Sequence, residues 1–157
     1  MSHKSVITQE MLETIGTESE PVVHKIEKNS IIRFARAIGD PNPLFSDEDT
    51  TRQKRYEGLV APPTFLRSLD DSPTRVQIVS PYSAFLDGGS QWEYFLPVRP
   101  GDYIKTTIKI TDIFERQGKL GNMIFVISES KYVNQTGDTV ARQYGTDIWY
   151  RPIEEHL

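Results

Sequence analysis

The sequence predicts a single α+β domain in which helices cover one face of an antiparallel sheet. Two patterns indicate this fold class. Ahead of a proline-rich loop, apolar side chains recur at the spacing of one helical face, at residues 31, 34, 35 and 38. From about residue 84 onward, apolar and polar side chains alternate, as in half-buried strands. A length of 157 residues suits one domain over residues 1–157, with residues 1–10 and 153–157 as tails.

Composition argues against several classes of protein. The chain carries 18 Lys and Arg against 22 Asp and Glu, a net charge of −4, which argues against general nucleic-acid binding. It has no cysteine, so disulfides and thiol chemistry are excluded. Two of its three histidines, His3 and His156, lie in the predicted tails, and we expect no metal site. No signal peptide or membrane-length apolar run is evident, and we expect a cytoplasmic protein without membrane insertion.

The first half of the chain predicts a strand followed by an amphipathic helix. Residues 22–26 indicate the strand, and Asn29 or Ser30 is expected to cap the helix. Gly39 is expected to end it, because glycine readily adopts the left-handed conformation found after helices.

A rigid loop follows, since two prolines within residues 40–47 forbid a regular helix. Residues 49–56 are expected to form a short charged helix. The apolar segment 58–66 then contains a Pro-Pro pair, and proline is favoured in the first turn of a helix. We therefore expect residues 64–69 to open a buried helix.

The second half predicts a meander of antiparallel strands. Strands are expected within residues 84–96, 103–110, 123–133 and 140–150, with turns at residues 97–102, 117–122 and 134–138. A strongly curved sheet around one central helix accounts for the apolar segment that precedes the meander.

Three segments of the chain resemble the MaoC-like dehydratases, a family that includes the (R)-specific enoyl-CoA hydratases. Residues 34–44 read Phe-Ala-Arg-Ala-Ile-Gly-Asp-Pro-Asn-Pro-Leu. They resemble the hydratase motif, in which a helix end leads into Gly-Asp-x-Asn-Pro-Leu-His. Residues 58–65, Gly-Leu-Val-Ala-Pro-Pro-Thr-Phe, and residues 92–102 resemble the N-terminal-type domain of the same superfamily. The resemblance runs from about residue 10 to residue 151.

The resemblance implies a hot-dog fold, in which a curved antiparallel β-sheet wraps around a central α-helix. It also implies a dimer, either a homodimer or a heterodimer with another hot-dog chain. The ligands it implies are thioesters of CoA or of acyl carrier protein, bound near the dimer interface. No cofactor is implied beyond the CoA that forms part of the substrate.

The resemblance also names catalytic positions. In the family, an Asp and a His flank the water that adds across an enoyl double bond. Asp40 falls on the family Asp and is the candidate catalytic residue, while Asn42 falls on the family Asn. The family His falls on Phe45, so the second proton-handling group is missing there. The alternative is that Asp40 and Asn42 only brace the loop, and that Phe45 packs in the core or lines an acyl channel.

Backbone amides form a second set of candidates for substrate binding. Those of Ala61, Thr64 or Phe65, at the start of the expected buried helix, can polarise a thioester carbonyl. The alternative is that the protein caps these amides itself.

Cations form a third set. Arg52, Lys54 and Arg55 cluster in an otherwise acidic chain, and a basic rim suits the phosphates of CoA. The alternative is an ordinary solvated helix face.

Three functions are compatible with these residues. The first is a MaoC-type hydro-lyase on enoyl-CoA or 3-hydroxyacyl-CoA, with Asp40 as the acid–base group and its role exercised in a complex. The second is a non-catalytic acyl-binding subunit that pairs with a MaoC-like partner carrying both Asp and His. The third is a hot-dog thioesterase, which ranks last because residues 64–69 contain no carboxylate to direct water at the carbonyl.

Overall fold

The chain forms a five-stranded antiparallel sheet that curls into a half-barrel. The computed structural model describes residues 5–53, 57–69, 76–119 and 121–152. Its strands are β1 (Val22–Lys25), β2 (Ala84–Tyr94), β3 (Tyr103–Gly118), β4 (Gly121–Val133) and β5 (Thr139–Tyr150). Their order in the sheet is β1-β3-β4-β5-β2, so β1 and β2 form the two edges. The predicted α+β hot-dog class is confirmed.

All helices of the described residues precede β2. They are α1 (Gln9–Glu13), α2 (Lys28–Ala37), α3 (Glu48–Gln53) and two 3-10 helices, Pro43–Phe45 and Pro63–Ser68. None of the helices in the described ranges has the length and apolar character that crossing a membrane requires.

Helix α2 buries Ile31 and Ala35 on its predicted apolar face. It ends before Gly39, which has φ +70° as expected of a residue after a helix. The predicted cap at Asn29 or Ser30 is wrong, because the helix starts one residue earlier than Asn29, at Lys28. Both residues therefore lie inside its first turn.

A first hydrophobic cluster covers one end of the inner face of the sheet. In it, α2 and the second 3-10 helix pack on β3, β4 and β5. Its buried members are Ile26, Ile31, Phe65, Leu66, Val98, Ile104, Tyr132, Val140 and Ala141.

A second cluster covers the other end of the same face. Met11 of α1 packs there on Ile110, Ile113, Ile124 and Val126. Ile104 of the first cluster and Ile110 of the second are an even number of residues apart on β3 with no bulge between them. They therefore point to the same side of the sheet.

The expected central helix is shorter and of a different type. In its place the six-residue 3-10 helix Pro63–Ser68 buries only Phe65 and Leu66. The backbone turns extended at Leu69, with φ −72° and ψ 130°. A 3-10 helix seldom continues beyond one or two turns, because its hydrogen-bond geometry is poor. The inner face is therefore covered by short helices at its two ends.

Residues 5–10 are bound to the domain, although the sequence assigns them to a tail. The Ser5 hydroxyl and the N–H groups of Val6 and Ile7 donate to Glu115 Oε1 at 2.7, 2.6 and 2.9 Å. Val6 and Ile7 also pack against the second cluster. The other predicted tail, residues 153–157, lies outside the described residues.

The environment of Glu115 makes the attachment of this segment sensitive to pH. Burial raises the pKa of Glu115, but hydrogen bonds from Ser5, Ile7, Val6 and Asn122 outweigh it and hold the pKa below its ordinary value. The folded pKa is thus lower than the unfolded pKa. The stabilisation is present above the unfolded pKa and is lost as pH falls through the folded pKa.

Glu115→Gln is therefore expected to lower the free energy of unfolding by about 1–3 kcal/mol at neutral pH. It should also flatten the loss of stability that begins as pH falls to the ordinary Glu pKa of about 4.3 and continues below it. Urea unfolding across this range measures both effects, with Glu20→Gln as an exposed control. An unchanged acid profile in Glu115→Gln would contradict this account.

Replacing one buried hydroxyl is expected to stabilise the fold. Thr106 on β3 is buried, and its Oγ1 has no hydrogen-bond partner among the described residues. Thr106→Val keeps the shape and removes the desolvated group, and should raise the free energy of unfolding by about 1 kcal/mol. Thr107→Val, on the opposite face of the strand, is the control in the same urea titration. A loss of stability in Thr106→Val alone would refute this expectation.

Candidate functional site

The loop after α2 is held by two consecutive side-chain turns. Asp40 Oδ1 accepts the N–H of Asn42 at 2.9 Å, and Asn42 Oδ1 accepts the N–H of Leu44 at 3.1 Å. Pro41 and Pro43 fix φ between these turns. Asp40 and Asn42 thus brace the loop, as the structural alternative predicts.

This bracing directs Phe45 inward. Asn42 caps the 3-10 helix Pro43–Phe45, and Phe45 is buried at its end. The segment that carries Ala61 lies alongside, because Val60 N–H donates to Leu44 O at 3.1 Å and Ala61 N–H donates to Val98 O at 2.8 Å.

Phe45 and Ala61 line an apolar cavity of about 360 Å³, here called the acyl pocket after the ligand that the family resemblance implies. One wall consists of Val60, Pro62, Pro63 and Leu66, and the other of Tyr94, Phe95, Leu96, Pro97 and Val98. The second wall was absent from the predicted site. The segment 92–102 could have indicated this wall, because it resembles the corresponding segment of the family. It contains no residue that suggests a catalytic or binding role by its type alone.

Tyr94 is the titratable side chain among the residues that line the acyl pocket. Partial burial raises the pKa of its phenol, so it stays protonated at neutral pH. Asp40 is not among the lining residues. The pocket therefore presents an apolar surface, and the described residues that line it include no pair of proton-transfer groups.

The predicted amide donors are largely engaged within the protein. The N–H of Ala61 is bonded to Val98 O, and that of Phe65 donates to Pro62 O at 2.8 Å. These two are thus wrong as thioester donors. The N–H of Thr64 makes no backbone hydrogen bond within the described part of the chain, and the Thr64 residue is exposed.

The side chain of Phe65 belongs to the core. It packs edge to face on Phe34, with ring centroids 5.5 Å apart, and does not line the acyl pocket. Residue 65 thus points toward α2, and its role in substrate binding stays a prediction.

The predicted basic cluster is only partly described. Arg52 Nη2 lies 2.7 Å from Glu48 Oε1, one helical turn away. Lys28 also contacts Glu48, and the hydrogen bond and charge of Lys28, with the charge of Arg52, lower the pKa of Glu48. Arg52 thus forms a solvated ion pair. Lys54 and Arg55 lie outside the described residues.

His24 is not among the residues that line the acyl pocket. It pairs with Ile104 across β1 and β3 and lines a shallow depression beside Phe34 and Phe65. Its Nε2 is buried without a hydrogen-bond partner among the described residues. No group of three or more His, Asp or Glu side chains in those ranges is arranged to hold a metal ion.

A second cavity, of about 420 Å³, opens between the two hydrophobic clusters. We call it the inner-face cavity. Its polar lining residues include Arg67, Asp87, Ser128, Ser130, Gln143 and Asp147. The site predicted from the sequence does not include it, although the sequence contains a signal: on β4 the inward positions change from Ile124 and Val126 to Ser128 and Ser130.

Relatives of known sequence share most of this domain. A UPF0336 protein of Thermobifida fusca is 30% identical over 125 residues, covering 76% of this chain and 80% of that protein. A UPF0336 protein of Streptomyces avermitilis is 30% identical over 95 residues, and the match spans 63% of its length, just under two thirds. A probable enoyl-CoA hydratase alpha subunit of Thermomonospora curvata is 25% identical over 140 residues, covering 78% of this chain but 44% of that protein.

Solved structures share the fold. The ChsH1-ChsH2 complex of Mycobacterium tuberculosis superposes with a TM-score of 0.76 at 21% identity, covering 92% of this chain and 96% of that chain. The C-terminally truncated HadBC (3R-hydroxyacyl-ACP dehydratase) complex of the same organism gives 0.68 at 22% identity, covering 86% and 96%.

The model of the FAS1-like, dehydratase domain region matches residues 13–143. Since this match covers most of the chain, the protein belongs to that family of MaoC-like dehydratase domains.

Proposed function

We propose that this chain is an acyl-binding subunit of a hydratase or dehydratase that acts on enoyl and 3-hydroxyacyl thioesters. A second hot-dog chain supplies the Asp/His pair. The observation that carries the proposal is the acyl pocket itself: Phe45 occupies the position of the family His and lines an apolar cavity from which Asp40 is absent.

The acyl pocket suits an apolar ligand. Its volume of about 360 Å³ lies in the range of small-molecule sites. Burial of methylene groups in such a cavity contributes about 0.8 kcal/mol each. The rings of Phe45 and Tyr94 and the side chain of Leu66 supply that apolar surface.

The free edge of the sheet supports a protein partner. Phe85, Leu86 and Tyr94 on β2, with Phe95 and Leu96 just beyond it, are 41–52% exposed. An edge strand also presents unpaired backbone groups. This surface is continuous with the acyl pocket, since Tyr94, Phe95 and Leu96 line both. The names of the T. curvata alpha subunit and of the ChsH1-ChsH2 and HadBC complexes denote assemblies of several chains.

Steady-state hydration of crotonyl-CoA and of medium-chain enoyl-CoA by the purified chain tests the catalytic assignment. We expect no turnover, because one of two acid–base groups, each worth about 10²–10⁴-fold, is missing. Acyl-CoA should still bind, and Asp40→Asn should change its Kd less than about threefold. Asp112→Asn, whose carboxylate likewise accepts a nearby backbone N–H, is the control.

Two results would overturn this proposal. Hydration that disappears in Asp40→Asn and persists in Asp112→Asn would identify the chain as a self-sufficient hydro-lyase. Release of free CoA, followed with a thiol reagent, would identify a thioesterase.

Association through the β2 edge is tested by charge insertion. Leu96→Asp places a carboxylate on the exposed apolar surface beside the acyl pocket, and is expected to weaken association at least tenfold, because an unpaired charge must be desolvated. Val23→Asp alters the opposite edge, where Val23 is 58% exposed, and should have no effect. Sedimentation velocity, of the chain alone and with a His-bearing hot-dog partner, measures both. Equal weakening by the two variants would contradict the β2 assignment.

A further inference from the structure

The outer face of the sheet carries a row of large apolar side chains, one from each of four neighbouring strands. We call it the outer row, and it consists of Phe114 on β3, Phe125 on β4, Ile148 on β5 and Leu86 on β2. Each member is paired in register with the next, so the row runs straight across the strands. Ile113 and Ile124, the sequence neighbours of two members, are buried in the second cluster. Because successive side chains of a strand point to opposite faces, the outer row points away from the core.

The outer row belongs to neither hydrophobic cluster. Leu86 is 41% exposed, and the other three members are half-buried. The rings of Phe114 and Phe125 are stacked, with centroids 5.2 Å apart, and Arg116 Cζ lies 5.1 Å and 5.7 Å from these centroids. A continuous apolar surface of this kind is typical of a face that binds another protein.

The charges beside this surface are available to a partner. A guanidinium that stacks on an aromatic ring keeps its N–H groups in its own plane, where they can bond a carboxylate. Arg116 forms no ion pair with another described residue. On the other side of Phe114 lies Asp112, which is exposed and likewise has no cationic partner in the described ranges. Its Oδ1 accepts the N–H of Ile113 at 2.9 Å, which leaves Oδ2 for a further bond.

The opposite charges of Asp112 and Arg116 make the outer face complementary to itself. Each lies two residues from Phe114, on opposite sides of it along β3. A two-fold axis along the outer row lays Phe114 on its counterpart in a second copy and reverses the direction of β3. Asp112 of each copy then faces Arg116 of the other, so the same contact forms twice, as in isologous dimers.

The neighbouring strand extends this match. On β4 the same axis brings Ile127 of one copy opposite Met123 of the other, and both face outward. Four strands about 4.8 Å apart, each contributing about nine residues, form a face of roughly 19 by 30 Å. Two such faces bury on the order of 1,100 Å² together, which is the low end for specific interfaces. We therefore expect association that is specific but weak.

We propose that two copies of this chain associate back to back through the outer row, with antiparallel β3 strands and two ion pairs between Asp112 and Arg116. This interface goes beyond the proposed function. The acyl pocket, to which Leu66 of the first cluster contributes, is on the inner side of the sheet, and the hot-dog partner is assigned to the β2 edge. All three surfaces can be occupied at once, so that two hot-dog pairs form an assembly of four chains.

Charge reversal tests this interface. Sedimentation velocity over the micromolar range is run on Leu96→Asp, in which the β2 edge contributes little, and this parent should dimerise. Adding Asp112→Arg or Arg116→Asp sets like charges against each other twice and should weaken dimerisation at least about tenfold. The double variant Asp112→Arg/Arg116→Asp restores two opposite-charge pairs and should recover to within about threefold of the parent Kd. Lys105→Asp, which reverses an exposed charge at the far end of β3, is the control and should have no effect.

Cross-linking reads the register of the two copies directly, because the chain contains no cysteine. In a mixture of Asp112→Cys and Arg116→Cys the two thiols face each other, and the remaining Asp112 and Arg116 still pair. A short bismaleimide should join this mixed pair. It should not join either variant to itself, because those thiols lie four residues apart along the strands, about 14 Å.

Four results would each overturn the proposal. They are a parent that stays monomeric, a double variant that dimerises no better than the single variants, equal weakening by Lys105→Asp and Arg116→Asp, and cross-linking of the mixture no greater than that of each variant alone. Binding of the hot-dog partner, and not of a second copy, through Asp112 and Arg116 would overturn it as well. None of these results depends on acyl-CoA binding, so the proposed function stands or fails separately.

Discussion

The inward-facing side chains of β3, β4 and β5 control the arrangement of the rest of the chain. Their burial is the main favourable term available to a domain of this size, since it scales with the apolar area removed from water. Short helices cover this face at both ends, where the inward-facing side chains are apolar. In the middle of the face, the inward-facing side chains include Ser128, Ser130 and Gln143. An apolar helix laid over these groups would leave them unsatisfied, so a cavity there is physically consistent with the sequence of the strands.

The hydratase-like loop is used as a scaffold. Here Asp40 and Asn42 each hold the backbone two residues ahead, and their turns present Phe45 to an apolar pocket. The motif is thus retained as geometry, and the side chain at its end contributes apolar surface to the pocket.

Strand β2 forms one edge of the sheet, contributes Tyr94 to a wall of the acyl pocket, and separates that pocket from the inner-face cavity. Its register shifts between Asp87 and Ser90, and the two glycines within that bulge are required for different reasons. Gly89 has φ +104°, and a Cβ on Gly88 would stand 2.9 Å from Thr146 O. Because bulges bend a strand and redirect its side chains, the bulge allows Asp87 to face Arg67 while Trp92 and Tyr94 remain stacked.

The sequence by itself determined the class of the fold, the meander of strands and the apolar character of Phe45. These features depend on local periodicity and on turn residues, which act within a few positions of one another. The tertiary structure decided which residues meet. It paired the N–H of Ala61 with Val98, turned Phe65 into the core, and bound residues 5–7 to Glu115.

These contacts join positions far apart in the chain, and no local pattern encodes them. The inner-face cavity could not be predicted from local sequence patterns for the same reason. Its serines and its glutamine read as ordinary strand residues, and only the register between β4 and β5 brings Ser130 opposite Gln143. The sequence therefore specified the surfaces of the sheet, whereas packing determined which of them were covered and which remained open.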